Sequence, residues 1–150
     1  MKYNPLSFNF FSLLKLPAAW FSGVRVSKIT NEFSEVKVKY RWINQNPFGS
    51  MYWAVQGMAA ELSTAIFLIK TIKINKVPIS MLVLNNKANF KKKAKGVIIF
   101  RCDQGIKASQ AIEEAIKTKN VLKILMKSIG IDDSGDVVSE FYFEWTIKAK

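Results

Sequence analysis

One stretch of the chain decides the fold: residues 46–67, which read NPFGSMYWAVQGMAAELSTAIF. A turn containing a glycine is followed by a long, almost wholly apolar run with one carboxylate, Glu61, near its middle. Ser50 is a candidate N-cap, and the run predicts a helix from about Ser50 to about Ile69. Apolar residues lie all round this helix, so we expect most of its sides to be buried.

A helix of this length can be buried either in a bilayer or under a sheet. Polar residues interrupt this one at Gln56, Glu61, Ser63 and Thr64. A carboxylate at the centre of a membrane span costs about 2.5–3.5 kcal/mol. The neighbouring segments alternate polar and apolar residues as the strands of a soluble sheet do. The sequence therefore favours an antiparallel sheet wrapped around a central helix, with no membrane span.

Strands are predicted on both sides of this helix by period-two alternation. The two before it are SGVRVSKIT (22–30) and SEVKVKYRW (34–42), around a turn near Asn31. In the second, we expect Val36, Val38, Tyr40 and Trp42 to share one face. Later strands are predicted at 77–86, 95–102, 121–129 and 138–150, with a basic segment at 87–95 between the first two. In the last strand, one face should hold Phe141, Phe143, Trp145 and Ile147.

Two further helices are predicted from their apolar spacing. A short amphipathic one near the N-terminus should end before Pro17, and it carries Leu6, Phe10, Leu13 and Leu14. The other covers residues 106–120, with Asn120 as a possible cap. Its apolar stripe consists of Ala108, Ala111, Ile112, Ala115 and Ile116. With 150 residues and no linker or repeat, the chain is predicted to be a single domain, residues 1–150.

Composition excludes several kinds of catalysis. The chain has no histidine, which removes His general bases, Ser-His-Asp and Cys-His catalysis, and His-ligated metals. The one cysteine, Cys102, allows no intrachain disulfide and suits a reducing cytoplasm, where we expect the protein to be. We therefore expect neither a metal nor a cofactor. The formal net charge of +12 favours an anionic partner.

Three segments together resemble the hot-dog fold of acyl-CoA thioesterases, most closely a thioesterase-like family known as domain of unknown function 4442. They are NPFGSMYWAVQGMAAEL (46–62), CDQGIKASQAIEEAI (102–116) and SGDVVSEFYFEWTIKAK (134–150). The C-terminal part is the more specific, because most thioesterases lack a helix at that place. The resemblance implies an α+β fold: an antiparallel sheet around a long central helix, with an extra helix between two later strands.

The resemblance also implies a site. In hot-dog thioesterases a backbone N–H at the turn before the helix polarises the thioester carbonyl, and here Gly49 or Ser50 would supply it. A carboxylate on the helix, or from the partner subunit, then activates water or attacks the substrate directly. The family often has His before the glycine, where this chain has Phe48, and its carboxylate usually lies where this chain has Gln56 and Gly57. Glu61, one turn further on, is therefore the candidate acid.

Other candidate site residues come with structural alternatives. Gln56 could position water or form a helix–sheet hydrogen bond, and Asn46 could orient a ligand or stabilise the turn. Gly57, on one helical stripe with Ala54 and Glu61, could leave room for a ligand or another subunit. Glu61 itself could be a buried structural acid. The lysine cluster, which includes Lys91, Lys92 and Lys93, could bind the phosphates of coenzyme A or form a solvated loop.

Two classes of function follow. The first is an acyl-CoA thioesterase, or a relative that binds acyl-CoA or another acyl thioester without cleaving it. The second is a basic nucleic-acid-binding module without enzymatic activity, which the net charge and the lysines interleaved with aromatics support. The second ranks lower, because arginines are few and no nucleic-acid motif is recognised. Since a hot-dog unit leaves strand edges and apolar surface to cover, we expect a homodimer or a dimer of dimers.

Overall fold

A computed structural model describes residues 3–150, which build one six-stranded sheet and four α-helices. The helices are α1 (Pro5–Lys15), α2 (Pro17–Phe21), α3 (Trp53–Asn75) and α4 (Gly105–Thr118). The strands are β1 (Arg25–Ile29), β2 (Ser34–Lys39), β3 (Ile79–Phe90), β4 (Val97–Cys102), β5 (Leu122–Ile131) and β6 (Val137–Ala149). A short 3-10 helix, Trp42–Asn44, lies between β2 and α3.

The sheet is antiparallel throughout, in the order β1-β2-β4-β5-β6-β3. The long helix α3 lies against β2, β4, β5 and β6, and α4 connects β4 to β5. This is the predicted α+β hot-dog architecture, with the extra helix at the predicted place. The predicted face of β6 is also confirmed, since Phe141, Phe143, Trp145 and Ile147 are all buried.

The second strand is shorter than predicted. Val36 and Val38 are fully buried as expected, but β2 ends at Lys39, and Trp42 is 82% exposed. The cause is Asn44, whose side chain accepts from the Arg41 N–H and donates to the Lys39 carbonyl. These bonds turn the chain out of the sheet after Tyr40, which still packs against the core, so the prediction that the strand extends to Trp42 and that Trp42 shares its buried face is wrong.

The central helix begins and ends later than predicted. The segment before it is held by the N–H of Met51, which donates to the Ala94 carbonyl, and by the N–H of Tyr52, which donates to the Asn44 carbonyl. Helical hydrogen bonding can therefore begin only at Trp53, and Ser50 is not the N-cap. At the other end α3 continues beyond Ile69 to Asn75, where it packs beside α4.

The remaining boundaries also differ from the prediction in detail. Lys119, in the left-handed region with φ of 57°, closes α4, so Asn120 is not its cap. The strand β3 continues through residues 87–90, the first four residues of the segment predicted as a basic connection. Pairing explains this extension, because Asn89 lies opposite Glu140 and Phe90 opposite Ser139 on β6.

Polar side chains of α3 bond to the sheet beneath it. The Ser139 hydroxyl donates to Gln56 over 2.9 Å, and the Trp145 indole N–H donates to Thr64 over 3.0 Å. The buried hydroxyls of Ser63 and Ser128 lie 2.7 Å apart. By length and composition alone α3 could cross a membrane, but most of it is buried inside the protein. These bonds explain why a core helix carries polar residues.

Candidate active site

Glu61 lies on α3 in the wall of a cavity of about 490 Å³. We call this space the Glu61 cavity. Apolar side chains supply most of its lining, including Phe11 and Leu16 from the N-terminal helical segment and Trp145 from β6. Apart from Glu61, the only charged residue in the lining is Lys15. The cavity is therefore an apolar space with one acid in its wall.

The Glu61 carboxylate has no hydrogen bond or ion pair within residues 3–150. No ion pair joins it to Lys15, although both residues line the same cavity. Glu61 is exposed in the single chain, but the apolar groups around it partly desolvate the charged form and raise the pKa of the carboxyl above its ordinary value. An acid that lacks a partner in an apolar wall is a candidate for proton transfer.

The N-terminus of α3 has unused hydrogen-bond donors. Tyr52 occupies the N-cap position without a side-chain cap, and the N–H groups of Trp53 and Ala54 have no acceptor among the described residues. These groups and the helix dipole can stabilise negative charge that develops on a substrate oxygen. Sequence reasoning missed Ala54 as a donor because it placed the helix start at Ser50.

The donors implied by the resemblance are used within the turn. Gly49 has a φ of 73°, which favours glycine, and its N–H points to the Asn46 carbonyl at 3.4 Å. The N–H groups of Phe48 and Ser50 both donate to the Asn46 side-chain oxygen, over 2.9 and 3.2 Å. The N–H groups of Gly49 and Ser50 therefore bond to Asn46 within the turn and are not free to bind a substrate oxygen in this structure.

Ala54, Gly57 and Glu61 follow one face of α3, since they are three and then four residues apart. Two helical turns separate Ala54 from Glu61, which is about 10 Å along the axis. A Cβ added at Gly57 would meet the Phe141 ring at 3.6 Å, an ordinary contact. Packing therefore does not require a glycine there, and the small side chains leave the face between the donors and the acid uncrowded.

A second hollow, of about 520 Å³, brings together most of the other predicted site residues. We call it the lysine groove. Its lining includes Asn46, Ser50, Gln56, Lys91, Lys92 and Lys93, while Gly49 borders a shallower hollow beside it. The lysine groove and the Glu61 cavity share no lining residue. Within one chain, Glu61 and most of the other predicted site residues therefore line two separate hollows.

The lysines of the groove have partners in the protein. Lys92 lies between Asp132 and Asp136, at 2.6 and 2.7 Å, and these bonds raise the pKa of Lys92. Lys93 donates to the Phe48 carbonyl over 3.0 Å, and Lys91 lies 3.7 Å from a Glu140 oxygen. A phosphate would have to compete with these contacts.

Gln56 is buried, and its two side-chain ends are both used. Its oxygen accepts from Ser139, and its nitrogen lies 3.4 Å from the Met51 carbonyl. The geometry is that of the helix–sheet bond that the sequence left as one alternative. Cys102 is fully buried at the end of β4, and burial raises the pKa of its thiol to about 11, so the thiol is protonated at neutral pH.

Within the part of the chain that the structure describes, no three acidic or cysteine side chains lie together as a metal site would require.

The family to which the chain belongs is shown by its match to a family model. The model of a family described as a domain of unknown function (DUF4442) matches residues 7–147. The chain belongs to this family. No curated protein sequence matches it.

Solved structures of similar shape support the fold. The Pseudomonas aeruginosa protein PA5026, described as a probable thioesterase, has a TM-score of 0.81 and 18% identity, covering 97% of each chain. OLEI01261 from Chlorobaculum tepidum, of unknown function, has a TM-score of 0.82 and 12% identity over 98% of each chain. The thioesterase HI1161 from Haemophilus influenzae has a TM-score of 0.71 and 10% identity, covering 99% of this chain and 93% of its own. The chain has the hot-dog fold of thioesterase-like proteins.

Proposed function

We propose that this DUF4442 protein hydrolyses acyl-CoA or a closely related acyl thioester, with Glu61 as the general base. The observation that carries the proposal is the Glu61 carboxylate, which has no partner in the wall of an apolar cavity. The hot-dog thioesterase HI1161 supports the class of reaction by its fold. A binder that does not turn over substrate remains the alternative within this class.

The proposed reaction uses groups that the chain supplies. Ionised Glu61 removes a proton from a water molecule while the water oxygen attacks the thioester carbonyl carbon. The carbonyl oxygen takes up the negative charge and is stabilised by the free N–H of Ala54. When the tetrahedral intermediate collapses, the carbon–sulfur bond breaks, and the leaving thiolate receives the proton from Glu61. The products are a carboxylic acid and a free thiol.

The spacing of these groups favours a site completed by a second copy of the chain. Ala54 and Glu61 are about 10 Å apart along α3, and the two hollows beside them are separate. A two-fold dimer would apply the N-terminus of one α3 to the Glu61 cavity of its partner. Large exposed side chains surround that N-terminus and would be covered in such a dimer: Trp42, Ile43, Phe48, Tyr52 and Trp53.

The lining of the Glu61 cavity suits the acyl part of the substrate, because almost all of it is apolar. The lysine groove would contribute less, since its lysines already have partners. Lys91, with a single long ion pair and an exposed side chain, is the best placed of the three to meet a coenzyme A phosphate. A single buried cysteine, Cys102, fits a cytoplasmic protein acting on intracellular thioesters.

The proposal is tested by thiol release from acyl-CoA esters of short, medium and long chains. We expect the unaltered protein to hydrolyse at least one of them, and Glu61→Gln to reduce kcat about 100- to 10,000-fold, the usual range for loss of a general base. Glu114→Gln, which neutralises an exposed acid on α4, is the matched control and should keep full activity. Full activity in folded Glu61→Gln protein would refute the assignment.

A mixing experiment tests the shared site. We expect Glu61→Gln and Ala54→Pro proteins to be inactive separately, because one lacks the base and the other lacks the N–H donor. In a mixed dimer, the Glu61 of one chain would face the Ala54 N–H of the other, so one of the two sites would be intact. Activity should therefore return when the two inactive proteins are unfolded and refolded together. No recovery in confirmed mixed dimers would show that both groups must come from the same chain.

A further inference from the structure

The outward face of α1 is apolar and uncovered. Its side chains Leu6, Phe10 and Leu14 follow one another at intervals of four residues and are 79%, 61% and 61% exposed. Leu13 lies on the same side of the helix, and Phe21 of α2 is also 66% exposed. We call these five residues the α1 face. Soluble chains rarely leave so many large apolar side chains together in water without a partner.

The α1 face is fixed to the body of the protein. The Asn9 side chain donates to the Val26 carbonyl over 2.9 Å and accepts from the Val26 N–H over 2.8 Å, on the free edge of the sheet. Phe8, on the opposite side of α1, is buried in the core. Because the inner side of α1 is anchored in this way, its apolar outer side has a constant orientation.

The charge around this face has one sign. Residues 1–31 contain no aspartate or glutamate. Lys15 is exposed at the end of α1, Lys28 is exposed on β1, and Lys73 lies over the Phe11 ring at 4.7 Å. Of the acids nearest in the chain and in the fold, Glu32 lies beyond β1 in the turn before β2, Glu35 is bound by Arg101, and Glu61 lines the cavity behind α1.

We propose that the α1 face binds the surface of an anionic lipid bilayer. Leu and Phe side chains on one side of a helix, with lysines beside them, are the composition of helices that lie in the interface between headgroups and acyl chains. Lysines near such a surface are attracted to acidic lipids. A second copy of this chain is the less suitable occupant, because it would bring the same positive surroundings against these lysines.

The binding orients the Glu61 cavity toward the membrane, because α1 and α2 form part of its wall through Phe11 and Pro17. An acyl chain in the bilayer and the cavity would then be separated only by this helical layer. The inference is independent of the proposed hydrolysis, since membrane binding is measured without any substrate. Failure of one proposal therefore leaves the other to be judged on its own experiment.

Vesicle flotation tests the proposal. We expect the full chain to float with vesicles of phosphatidylcholine and phosphatidylglycerol, and at least tenfold less with phosphatidylcholine alone or in high salt. The triple variant Leu6→Ser, Phe10→Ser and Leu14→Ser should lose at least tenfold in partitioning. All three side chains are exposed, so the fold should survive the change. The double variant Lys15→Gln and Lys28→Gln should bind anionic vesicles more weakly, while its binding to phosphatidylcholine vesicles should not change.

The matched control changes three exposed apolar residues elsewhere: Ile106→Ser, Val121→Ser and Leu125→Ser. This variant should float like the unaltered protein. Absence of flotation, or equal loss in the two triple variants, would overturn the proposal. The proposal is also contradicted if the unaltered protein binds no vesicles and the α1 triple variant sediments as a smaller oligomer than the unaltered protein. That result would assign the α1 face to a second copy of the chain.

Discussion

The Glu61 cavity and the lysine groove lie along the same helix, but the charged groups of the groove have partners in the protein and the acid of the cavity has none. In the groove, Lys92 lies between two carboxylates, and Lys93 is bound to a carbonyl. In the cavity, Glu61 has no partner, and its apolar surroundings make the charged form less stable. The groove has more charged residues, but its lysines have partners, whereas Glu61 and Lys15 in the cavity have no ion-pair partner among the described residues.

The difference teaches that the number of charges is a poor guide to a site. A paired surface lysine contributes little to binding until its partner is displaced. An acid without a partner keeps a raised pKa, which brings its proton affinity closer to what a general base needs. The same distinction separates the N–H of Ala54, which has no acceptor, from that of Ser50, which donates to Asn46.

After Glu61→Gln, the largest expected effect comes from removing the donor at the start of α3. Ala54→Pro deletes one N–H in the first helical turn, where that group has no intrahelical acceptor to lose. We expect kcat for acyl-CoA hydrolysis to fall about 100- to 1,000-fold, as when one oxyanion donor is lost. Steady-state kinetics measure the effect, and thermal unfolding verifies that the variant is folded.

Trp53→Pro is the comparison variant, because it places the same ring one residue earlier, after an extended Tyr52 that suits a following proline. It removes the neighbouring N–H, on a different side of the helix from Glu61. Because Trp53 also lies in the proposed dimer interface, sedimentation first verifies that this variant assembles like the unaltered protein, and we then expect a smaller loss of kcat than in Ala54→Pro. Equal losses in the two variants would indicate a general disturbance of the helix start and would contradict the assignment of Ala54.

A smaller effect is expected in the lysine groove. Replacing Lys91, Lys92 and Lys93 by Gln should weaken acyl-CoA binding only a few-fold, because these lysines have partners in the protein. Calorimetric titration in low and high salt measures the change, which salt should diminish by screening. Comparison with Lys91→Gln alone separates the exposed lysine from the other two. If the triple variant instead lost acyl-CoA affinity by about 100-fold or more, the groove would be the main binding site.

The triple lysine variant should also unfold at a somewhat lower temperature, because Lys92 links the two ends of the β5–β6 turn through Asp132 and Asp136. The Lys92 contact lowers the pKa of Asp132, so its contribution to stability is present at neutral pH and is lost as pH falls through that lowered pKa. A variant of unchanged stability at neutral pH would show that the contact contributes nothing.

The smallest expected effect is on stability at Glu61. Because its folded-state pKa is raised, the folded protein gives up stability as pH rises through that pKa and the group ionises. Glu61→Gln has no such group to ionise, so its melting temperature at neutral pH should equal or slightly exceed that of the unaltered protein. A clear decrease instead would show that Glu61 belongs to a structural pair, which the removal of one partner destabilises.

Much of the fold could be predicted from the sequence, because alternation and helical spacing report burial directly. The buried face of β6 and the extra helix α4 follow from such patterns. The boundaries could not be predicted in the same way. Asn44 ends β2 by bonding to Lys39, and Ala94 holds Met51 out of α3, so contacts with residues distant in sequence decide where these elements end.

The candidate site was predicted less completely. Glu61 stands out in the sequence as the one acid in a long apolar run, and the structure leaves it without a partner. Ala54 could not be identified, because a shift of three residues in the predicted helix start changes which N–H groups are free. The bonds of Gly49 and Ser50 to Asn46 are side-chain and turn geometry that sequence patterns do not contain.

The most direct test of the account is the pH dependence of kcat/KM for the best acyl-CoA substrate. Only the ionised form of Glu61 can accept a proton from water, so activity should rise with pH through the raised pKa of this carboxyl and then level off. The residual rate of Glu61→Gln should lack this step, while Glu114→Gln should keep it. A profile of the unaltered protein that is flat through the acid range, or the same step in Glu61→Gln, would contradict Glu61 as the base.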